Sequence, residues 1–309
     1  MKDFLAFHGN SLNFNFKILC ETLADMGYSV DLSDEKSALS FDYDDNYKFI
    51  ISCAHSENLH YKFIINLIRK KYSHVPLILF DDTDWNRKTM KFAIRPFIVF
   101  KREFNGNTKK IRGVSCFQMP KIVHDNYHPE IEKIYDVSFV GTTTSKSRAA
   151  FFEKIRQLKK ENWLIHETKH AYDMPYDEYI KIINQSKISL SCFGNGYDTI
   201  RYWEIISCKT AILSPKVPLY IPDDLTEEEA VFFREDMSDL EGKIDYLLEN
   251  NRWQTFARKG YEAFERRHSN IKRTEYFLTK IEEVELFNRR QASKRFSLSR
   301  YFDRFLESI

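Results

Sequence analysis

An arginine and a glutamate three positions apart, Arg201 and Glu204, form the pattern in this sequence with the clearest chemical use. They lie in KISLSCFGNGYDTIRYWEIISCKTAILSP, which predicts a strand, a glycine loop, a short helix and a second strand. Residues at i and i+3 share a helical face, and this face lies beside the carboxyl end of a strand. The alternative is a solvated surface ion pair. The position favours a site where the guanidinium binds a diphosphate, the carboxylate accepts from ribose hydroxyls, and the preceding loop contributes Tyr197, Asp198 and Thr199.

A second anion-binding pattern follows the predicted strand YDVSFVG, where Gly141, Thr142 and Thr143 precede a helix that carries Arg148 in its first turn. The start of a helix offers unpaired N–H groups and a positive dipole end to a phosphate. The alternative is that the hydroxyls only cap the helix. No G-x-G-x-x-G or G-x-x-x-x-G-K-[ST] pattern occurs, which argues against a dinucleotide dehydrogenase or a P-loop kinase.

An acidic cluster, Asp81, Asp82 and Asp84, follows the apolar run that ends at Phe80. Asp82 and Asp84 form a D-x-D pattern, which could hold a divalent metal ion against a diphosphate through hard oxygen ligands. Two alternatives stay open: the acids cap the next helix, or one of them serves as a catalytic base.

Two histidines and a pair of cations also follow predicted strands of the first half. His8 comes directly after the first strand, and His55 comes after another strand. Each could be a general base, and the alternative for each is a strand-end residue that bonds to the backbone. Lys101 and Arg102 lie in FKREF and could face an anionic ligand. The alternative for FKREF is an exposed edge strand. We assign His55, Lys101 and Arg102 to the acceptor side.

These residues require a framework of strands alternating with helices. Up to about residue 130, short apolar runs alternate with helix-period segments such as NFKILCETLADMG, and the alternation restarts after the polar stretch KIVHDNYHPEIEKI. Such alternation predicts an α/β fold of βαβ units with parallel sheets. We predict a first Rossmann-like domain over 1–125, a second over 126–285, and a basic aromatic helix over 286–309 that packs back on the first domain.

Composition limits the classes of partner. A net charge of +2 over 309 residues makes nucleic acid an unlikely partner, because phosphate neutralisation needs uncompensated cations. Five scattered cysteines without a C-x-x-C pair predict buried free thiols in the cytoplasm. No window is long and apolar enough for a spanning helix. The C-terminal tail mixes basic and aromatic residues, so peripheral contact with the inner face of a membrane is an alternative to packing on the protein.

The segments YDVSFVGTTTSKSR and YIKIINQSKISLSCFGNGYDTIRYWEIISCKTAIL resemble the C-terminal half of group 1 glycosyltransferases, in particular the spore-maturation CgeB-like branch. The resemblance covers roughly residues 135–275. It implies a GT-B fold, two Rossmann-like domains facing across a cleft, with a nucleotide-sugar such as a UDP-sugar on the C-terminal domain and the acceptor on the N-terminal one. It also implies that Glu204 binds ribose, that Arg201 lies near the diphosphate, and that Gly141 and Thr142 face the donor.

Two positions depart from that family's pattern. Gly196 stands where the first glutamate of the broader E-x7-E pattern would be, which puts the ordinary retaining mechanism in doubt, and Lys209 replaces the usual glycine of a turn.

The predicted function is a hexosyltransferase-type glycosyltransferase that moves a sugar from a nucleotide-diphosphate donor to a hydroxyl, in glycan or surface polysaccharide synthesis. The base would be His8, Asp82 or Asp84. No metal is obligatory, because cationic groups can neutralise the leaving diphosphate, although a divalent ion at Asp82 and Asp84 is the alternative. Two other functions stay open: a non-catalytic nucleotide-sugar-binding protein, and a nucleotide-sugar epimerase of the same fold.

Overall fold

The computed structural model describes residues 1–8, 13–34, 46–54, 72, 74–82, 96–103, 110–111, 114–143, 145–170 and 173–306, the part from 289 onwards by its backbone alone. Within these residues the chain forms two α/β units, each built on a largely parallel sheet. The predicted fold class of two Rossmann-like domains is confirmed.

The first domain contains a sheet that, among the described residues, has seven strands in the order β2-β1-β3-β4-β5-β7-β6. Only the short edge strand β6 is antiparallel to its neighbour, and the other pairs are parallel. The strands are β1 (Lys2–Phe7), β2 (Val30–Ser33), β3 (Tyr47–Ala54), β4 (Leu77–Asp81), β5 (Ile98–Lys101), β6 (Lys110–Ile111) and β7 (Val114–Gln118).

Helix α1 (Phe14–Asp25) follows β1 and shows why the sequence folds this way locally. Asn13 caps the helix, because its side-chain oxygen accepts from the N–H of Phe16 at 3.2 Å. Phe16, Leu19 and Leu23 recur at helical spacing and are completely buried against the sheet. The apolar face predicted for this helix is therefore the face that packs.

The second domain contains a parallel sheet of five strands in the order β12-β11-β10-β8-β9. Helices on both sides bury it between two apolar clusters. The strands are β8 (Tyr135–Thr142), β9 (Trp163–Thr168), β10 (Ser186–Leu190), β11 (Ala211–Pro215) and β12 (Val231–Phe233). The helices are α2 (Lys146–Leu158), α3 (Tyr176–Asn184), α4 (Ile200–Ser207), α5 (Leu240–Leu248) and α6 (Arg252–Ala263), with a 3-10 turn at Glu249–Asn251.

The chain crosses between the domains twice. The first crossing is the irregular stretch after β7, where Ile122 belongs to the core of the first domain and Val123 to a core cluster of the second. This lies three residues before the boundary expected at 125. The second crossing follows the π-helical turn Phe264–His268 and leads into the long helix α7 (Asn270–Leu306).

Helix α7 returns to the first domain earlier than the sequence indicated. Phe277, Ile281 and Val284 are buried in the first-domain core, and the ring of Phe277 lies 4.5 Å from that of Phe100. The return was expected only from residue 286. The helical spacing of apolar residues shows that a helix has a face that packs, but it does not show which of the two cores that face packs against.

Two expectations concern the whole chain. The five cysteines are buried free thiols, as predicted. In the described part of the chain, no helix combines the length and apolarity needed to cross a bilayer.

Candidate functional site

The carboxyl ends of the two sheets face each other, because the residues after β5 contact the loop after β10. In the second sheet the strand order reverses between β8 and β10, since the chain leaves β8 to one side for β9 and then to the other for β10. Such a switch point is where open α/β sheets bind ligands. The residues singled out by the sequence around Gly141 and Arg201 lie at this switch point.

Arg201 lies at the switch point with part of its guanidinium unpaired. Its Nη2 donates to the carbonyl oxygen of Val140 at 2.6 Å, and its Cζ lies 4.8 Å from the ring centroid of Phe139. Its Nε and Nη1 are buried and have no hydrogen-bond partner among the described residues. Gly141 permits this approach, because a Cβ there would lie 2.9 Å from Nη2. Two buried, unpaired N–H donors on a cation are ready to bind an anion.

Arg148, in the first turn of α2, brings a second guanidinium to the same place. Its Nε donates to the Phe193 carbonyl oxygen at 3.1 Å and its Nη1 to the Thr142 hydroxyl at 3.4 Å. A Cβ on Gly194 would lie 2.8 Å from its Nη2, so this glycine makes room for the arginine. Burial, and next the charge of Arg201, lower the pKa of Arg148. Two cations that repel each other in a buried place are stabilised by an anion between them.

Glu204 supplies the carboxylate of the site. It is 2 % exposed, and its Oε2 accepts from the hydroxyl of Tyr179 on α3 at 2.9 Å. Burial raises the pKa of Glu204 to about 7, against the opposing effects of the Tyr179 hydroxyl and of Arg201. The carboxylate therefore changes its charge near neutral pH, and a ligand that donates hydrogen bonds to it favours the ionised form.

The other residues predicted for the donor side have divided roles. Tyr197 is 44 % exposed and its ring packs edge-on against Phe193, with 5.0 Å between the ring centroids. Thr199 is the N-cap residue of α4 and its hydroxyl lies 3.5 Å from that of Ser191. Thr143 is exposed and bonds to Glu167. Ser145 caps α2, so the capping alternative holds for that hydroxyl.

Asp198 is not available to a ligand in this conformation. Its two carboxylate oxygens accept from the N–H of Lys121 at 2.9 Å and from Nε1 of Trp203 at 2.7 Å, and the residue is 2 % exposed. The prediction that Asp198 contacts the donor is therefore corrected: its carboxylate is used to hold the loop against both domains.

Asp82 is likewise occupied by the protein. It is 1 % exposed, and its oxygens lie 2.7 and 2.8 Å from the amide nitrogens of Asn13 and Asn15, 2.8 Å from Nζ of Lys121 and 3.0 Å from Nε of Arg102. Burial alone would raise the pKa of Asp82, but Lys121 and Arg102 outweigh it and hold the pKa below its ordinary value. Three hydrogen-bond donors and the ion pair with Arg102 thus occupy the carboxylate, which corrects the prediction that Asp82 is a base or a metal ligand. Asp84, its partner in the D-x-D pattern, lies outside the described residues.

Residues 100–103 of FKREF are buried, which corrects both interpretations of this segment. Lys101 pairs with Asp81 at 2.8 Å, and both side chains are nearly inaccessible. Arg102 contacts Asp82, Glu103 and the carbonyl oxygen of Asp198. Neither cation is free to contact an acceptor, and β5, to which Phe100 and Lys101 belong, lies between β4 and β7 and not at an edge of the sheet.

His8 is at the carboxyl end of β1, where its N–H donates to the carbonyl oxygen of Ser33 at 3.2 Å. Its side chain is half-buried. His55 lies outside the described residues. His8 therefore stays a predicted base.

Tyr179 and Lys121 were missed by the sequence reasoning, and Glu103 was noticed within FKREF but given no role in the site. Tyr179 carries no motif, and Lys121 begins the polar stretch KIVHDNYHPEIEKI. The alternation of polar and apolar residues in PYDEYIKIINQS predicts the buried face of α3, and that face could have indicated Tyr179. The other two are identified only by contacts between distant parts of the chain.

Known proteins resemble this chain in its second domain and in its whole fold. Residues 132–279, just under half of the chain, match the family model described as glycosyl transferase-like. No curated protein sequence matches significantly. Sucrose-phosphate synthase from Thermosynechococcus elongatus is a similar solved structure, with a TM-score of 0.61, 9 % identity, and coverage of 93 % of this chain and 100 % of that one.

Two further solved structures are similar over a comparable length. A glycosyltransferase from Rickettsia africae ESF-5 has a TM-score of 0.58 and 11 % identity, covering 92 % of this chain and 98 % of that one. Anabaena Alr3699/HepE in complex with UDP has a TM-score of 0.57 and 8 % identity, covering 92 % and 100 %. At such identities the likeness establishes the fold, which is GT-B. Together with the family model it supports a glycosyltransferase, while the CgeB-like branch stays a prediction.

Proposed function

We propose that the protein is a glycosyltransferase that transfers a sugar from a nucleoside-diphosphate donor to an acceptor hydroxyl. One observation carries the proposal: Arg148 and Arg201 converge at the switch point of the second sheet, and Arg201 presents two buried N–H groups without a partner. A diphosphate has the charge and the acceptor oxygens that this pair of guanidinium groups requires.

The two arginines would also promote the reaction. Breaking the bond between sugar and diphosphate leaves negative charge on the departing phosphate oxygen, and cations already fixed beside that oxygen stabilise the transition state. We propose that this charge stabilisation needs no obligatory metal ion. Two features support this: the two arginines provide the positive charge, and the carboxylate of Asp82 is occupied by Asn13, Asn15, Lys121 and Arg102.

Glu204 would receive the ribose of the donor. Its carboxylate is held in place by Tyr179 and lies on the same helix face as Arg201, so ribose hydroxyls could donate to it while the diphosphate lies at the arginines. UDP is the nucleotide we propose first, because Anabaena Alr3699/HepE has been solved with UDP and with UDP-glucose. A hexose is the sugar proposed.

The acceptor would bind on the first domain, with His8 removing its proton. We propose a hydroxyl of a glycan, as in the synthesis of a surface polysaccharide. We further propose a cytoplasmic protein that contacts the inner face of a membrane through the end of α7, where the sequence contains Arg289, Arg290, Lys294, Arg295, Arg300 and Arg304 among aromatic residues.

Two alternatives share the donor site. Because the carboxylate of Asp82 is occupied by protein groups, His8 is the remaining predicted base among the described residues. A protein that binds a nucleotide-sugar without turning it over is therefore one alternative. An epimerase of the same fold would alter the sugar of the donor without an acceptor. Analysis of the products formed from a UDP-sugar separates the three, because only the transferase releases UDP in proportion to added acceptor.

The primary test is binding of UDP, ADP and GDP measured by calorimetry, with and without Mn²⁺. We expect at least one diphosphate to bind, and we expect Arg201→Ala to weaken its binding by roughly tenfold to a hundredfold, the loss of one charge-assisted contact. Arg156→Ala is the matched control, because Arg156 is 53 % exposed and pairs with the partly exposed Glu167. Wild-type affinity in Arg201→Ala would exclude the proposed donor site, and binding only with Mn²⁺ would exclude the metal-independent form.

A further inference from the structure

Glu103 joins the first domain to the loop that precedes α4. Its side chain is completely buried, and its two oxygens accept from the backbone N–H groups of Asp198 at 3.0 Å and Tyr197 at 3.3 Å. The neighbouring Arg102 donates to the carbonyl oxygen of Asp198 at 2.7 Å. Two consecutive residues of the first domain therefore hold both the donors and the acceptor of one short backbone segment in the second.

Arg102 is itself fixed within the first domain. Its Nε lies 3.0 Å from Asp82, and its Nη1 donates to Glu103 at 2.9 Å. Asp82 in turn binds Asn13 and Asn15, at the beginning of α1. These contacts with Asp82 and Glu103 anchor the arginine in the first domain.

On the opposite side, Asp198 transmits this position to the donor site. Its carboxylate accepts from Nε1 of Trp203 at 2.7 Å, and Trp203 is a completely buried residue of α4. Arg201 and Glu204 flank Trp203 on the same short helix. The contacts form a continuous connection from Asp82 through Arg102, Glu103 and Asp198 to the helix that carries the proposed ligands of the diphosphate and ribose.

The charges in this connection favour a positioning role over a stabilising one. Three buried carboxylates, Asp82, Glu103 and Asp198, surround two cations, Arg102 and Lys121. Burial raises the pKa of both Glu103 and Asp198, so their ionised forms are costly. An apolar contact of equal size would hold two domains together at least as well, but it would not fix the direction of the backbone.

We propose that Glu103 and Arg102 are positioning residues for the donor site: by holding Tyr197 and Asp198 they set the start of α4, so that Arg201 and Arg148 converge when the two domains are together. The inference rests on the proposed function for its ligand. It assigns donor affinity in part to residues of the acceptor domain that do not touch the donor.

The first test compares Glu103→Gln with a matched control. Glutamine keeps the size of the side chain, but its amide nitrogen cannot accept from either N–H. The control is Asp81→Asn, which removes the charge from the similarly buried ion pair between Asp81 and Lys101, two residues of the first domain. We expect the Kd for UDP to rise about tenfold in Glu103→Gln and to change less than twofold in Asp81→Asn, measured by calorimetry well below the unfolding temperature. Equal losses in the two variants, or wild-type affinity in Glu103→Gln, would overturn the proposal.

A second measurement does not depend on any ligand. Hydrogen exchange of the free protein should become faster at the amides of Tyr197 and Asp198 and at the start of α4 in Glu103→Gln, but not in Asp81→Asn. If wild-type protein binds no diphosphate while this selective exchange is seen, the proposed function fails and the positioning role stands. If exchange in this loop does not change, the positioning role fails whatever the affinity. Should Glu103→Gln not fold, Arg102→Lys serves the same comparison, because lysine cannot contact Asp82, Glu103 and Asp198 together.

Discussion

The raised pKa of Glu204 predicts a contribution of this residue to the pH dependence of the protein's stability. Replacing it by glutamine keeps the shape and an acceptor for Tyr179 but removes the charge. The folded pKa of about 7 lies above the ordinary value of 4.5, because the ionised form is buried. The stabilisation from this group is therefore fully present below about pH 4.5 and is lost as the pH rises through about 7.

The size of the effect follows from these two values. At about 1.36 kcal/mol per pKa unit, the easier ionisation of Glu204 in the unfolded chain lowers the free energy of unfolding by about 1 kcal/mol at pH 5 and about 3 kcal/mol at pH 8. Glutamine does not titrate. We therefore expect Glu204→Gln to be more stable than wild type by about these amounts, with the difference growing as the pH rises.

Urea unfolding of both proteins between pH 5 and pH 8, without ligand, measures the difference directly. Other titrating groups are common to the two proteins and cancel. The same substitution should have the opposite effect on UDP binding, because ribose hydroxyls should donate to the ionised carboxylate. We therefore expect Glu204→Gln to bind UDP more weakly although it is more stable. A stability difference that stays constant with pH, or that favours wild type at pH 8, would refute the assignment of this pKa to burial.

Three further predictions test other parts of the molecule. Gly194→Ala should displace Arg148 and weaken UDP binding about tenfold at little cost in stability. The control is Gly242→Ala on α5, where the added Cβ meets open space and the affinity measured by calorimetry should not change. Equal affinities in the two variants would contradict the argument that Gly194 makes room for Arg148. Asp82→Asn should lower the urea-unfolding free energy by about 3–5 kcal/mol, because it leaves buried cations unpaired, and a loss under about 1 kcal/mol would count against its buried role. The protein should sediment with anionic but not zwitterionic phospholipid vesicles, less so at high salt and after replacing Arg300 and Arg304 by glutamine; binding to both vesicle types alike would reject the electrostatic contact.

The fold was predictable from the sequence because its elements are locally encoded. The runs that form β1 and β4 are apolar on both faces, as central parallel strands are, and the helical spacing of Phe16, Leu19 and Leu23 identifies the packed face of α1. The convergence of Gly141 with Arg201 could also be predicted, since the carboxyl ends of adjacent parallel strands meet at one edge.

The roles of Asp82, Arg102 and Asp198 could not be predicted in this way. Asp82 binds Asn13, 69 residues away, and Arg102 binds the backbone of Asp198, 96 residues away. A charged residue after a strand has the same local sequence whether it meets a ligand or another part of the chain. Whether such a residue meets a ligand or another part of the chain depends on how the two domains pack together, and no local pattern encodes that packing.

The route of α7 has a consequence for how the molecule reaches its native state during synthesis. The second domain is one uninterrupted piece of chain, but the first needs Phe277, Ile281 and Val284 from the far end to close its core. During synthesis on a ribosome the first domain therefore cannot complete its core until α7 has been made. We expect the second domain to acquire protected structure first. Pulse-labelled exchange during refolding would reveal the order, and early protection of β1 and β3 together with late protection of β8 and β10 would contradict it.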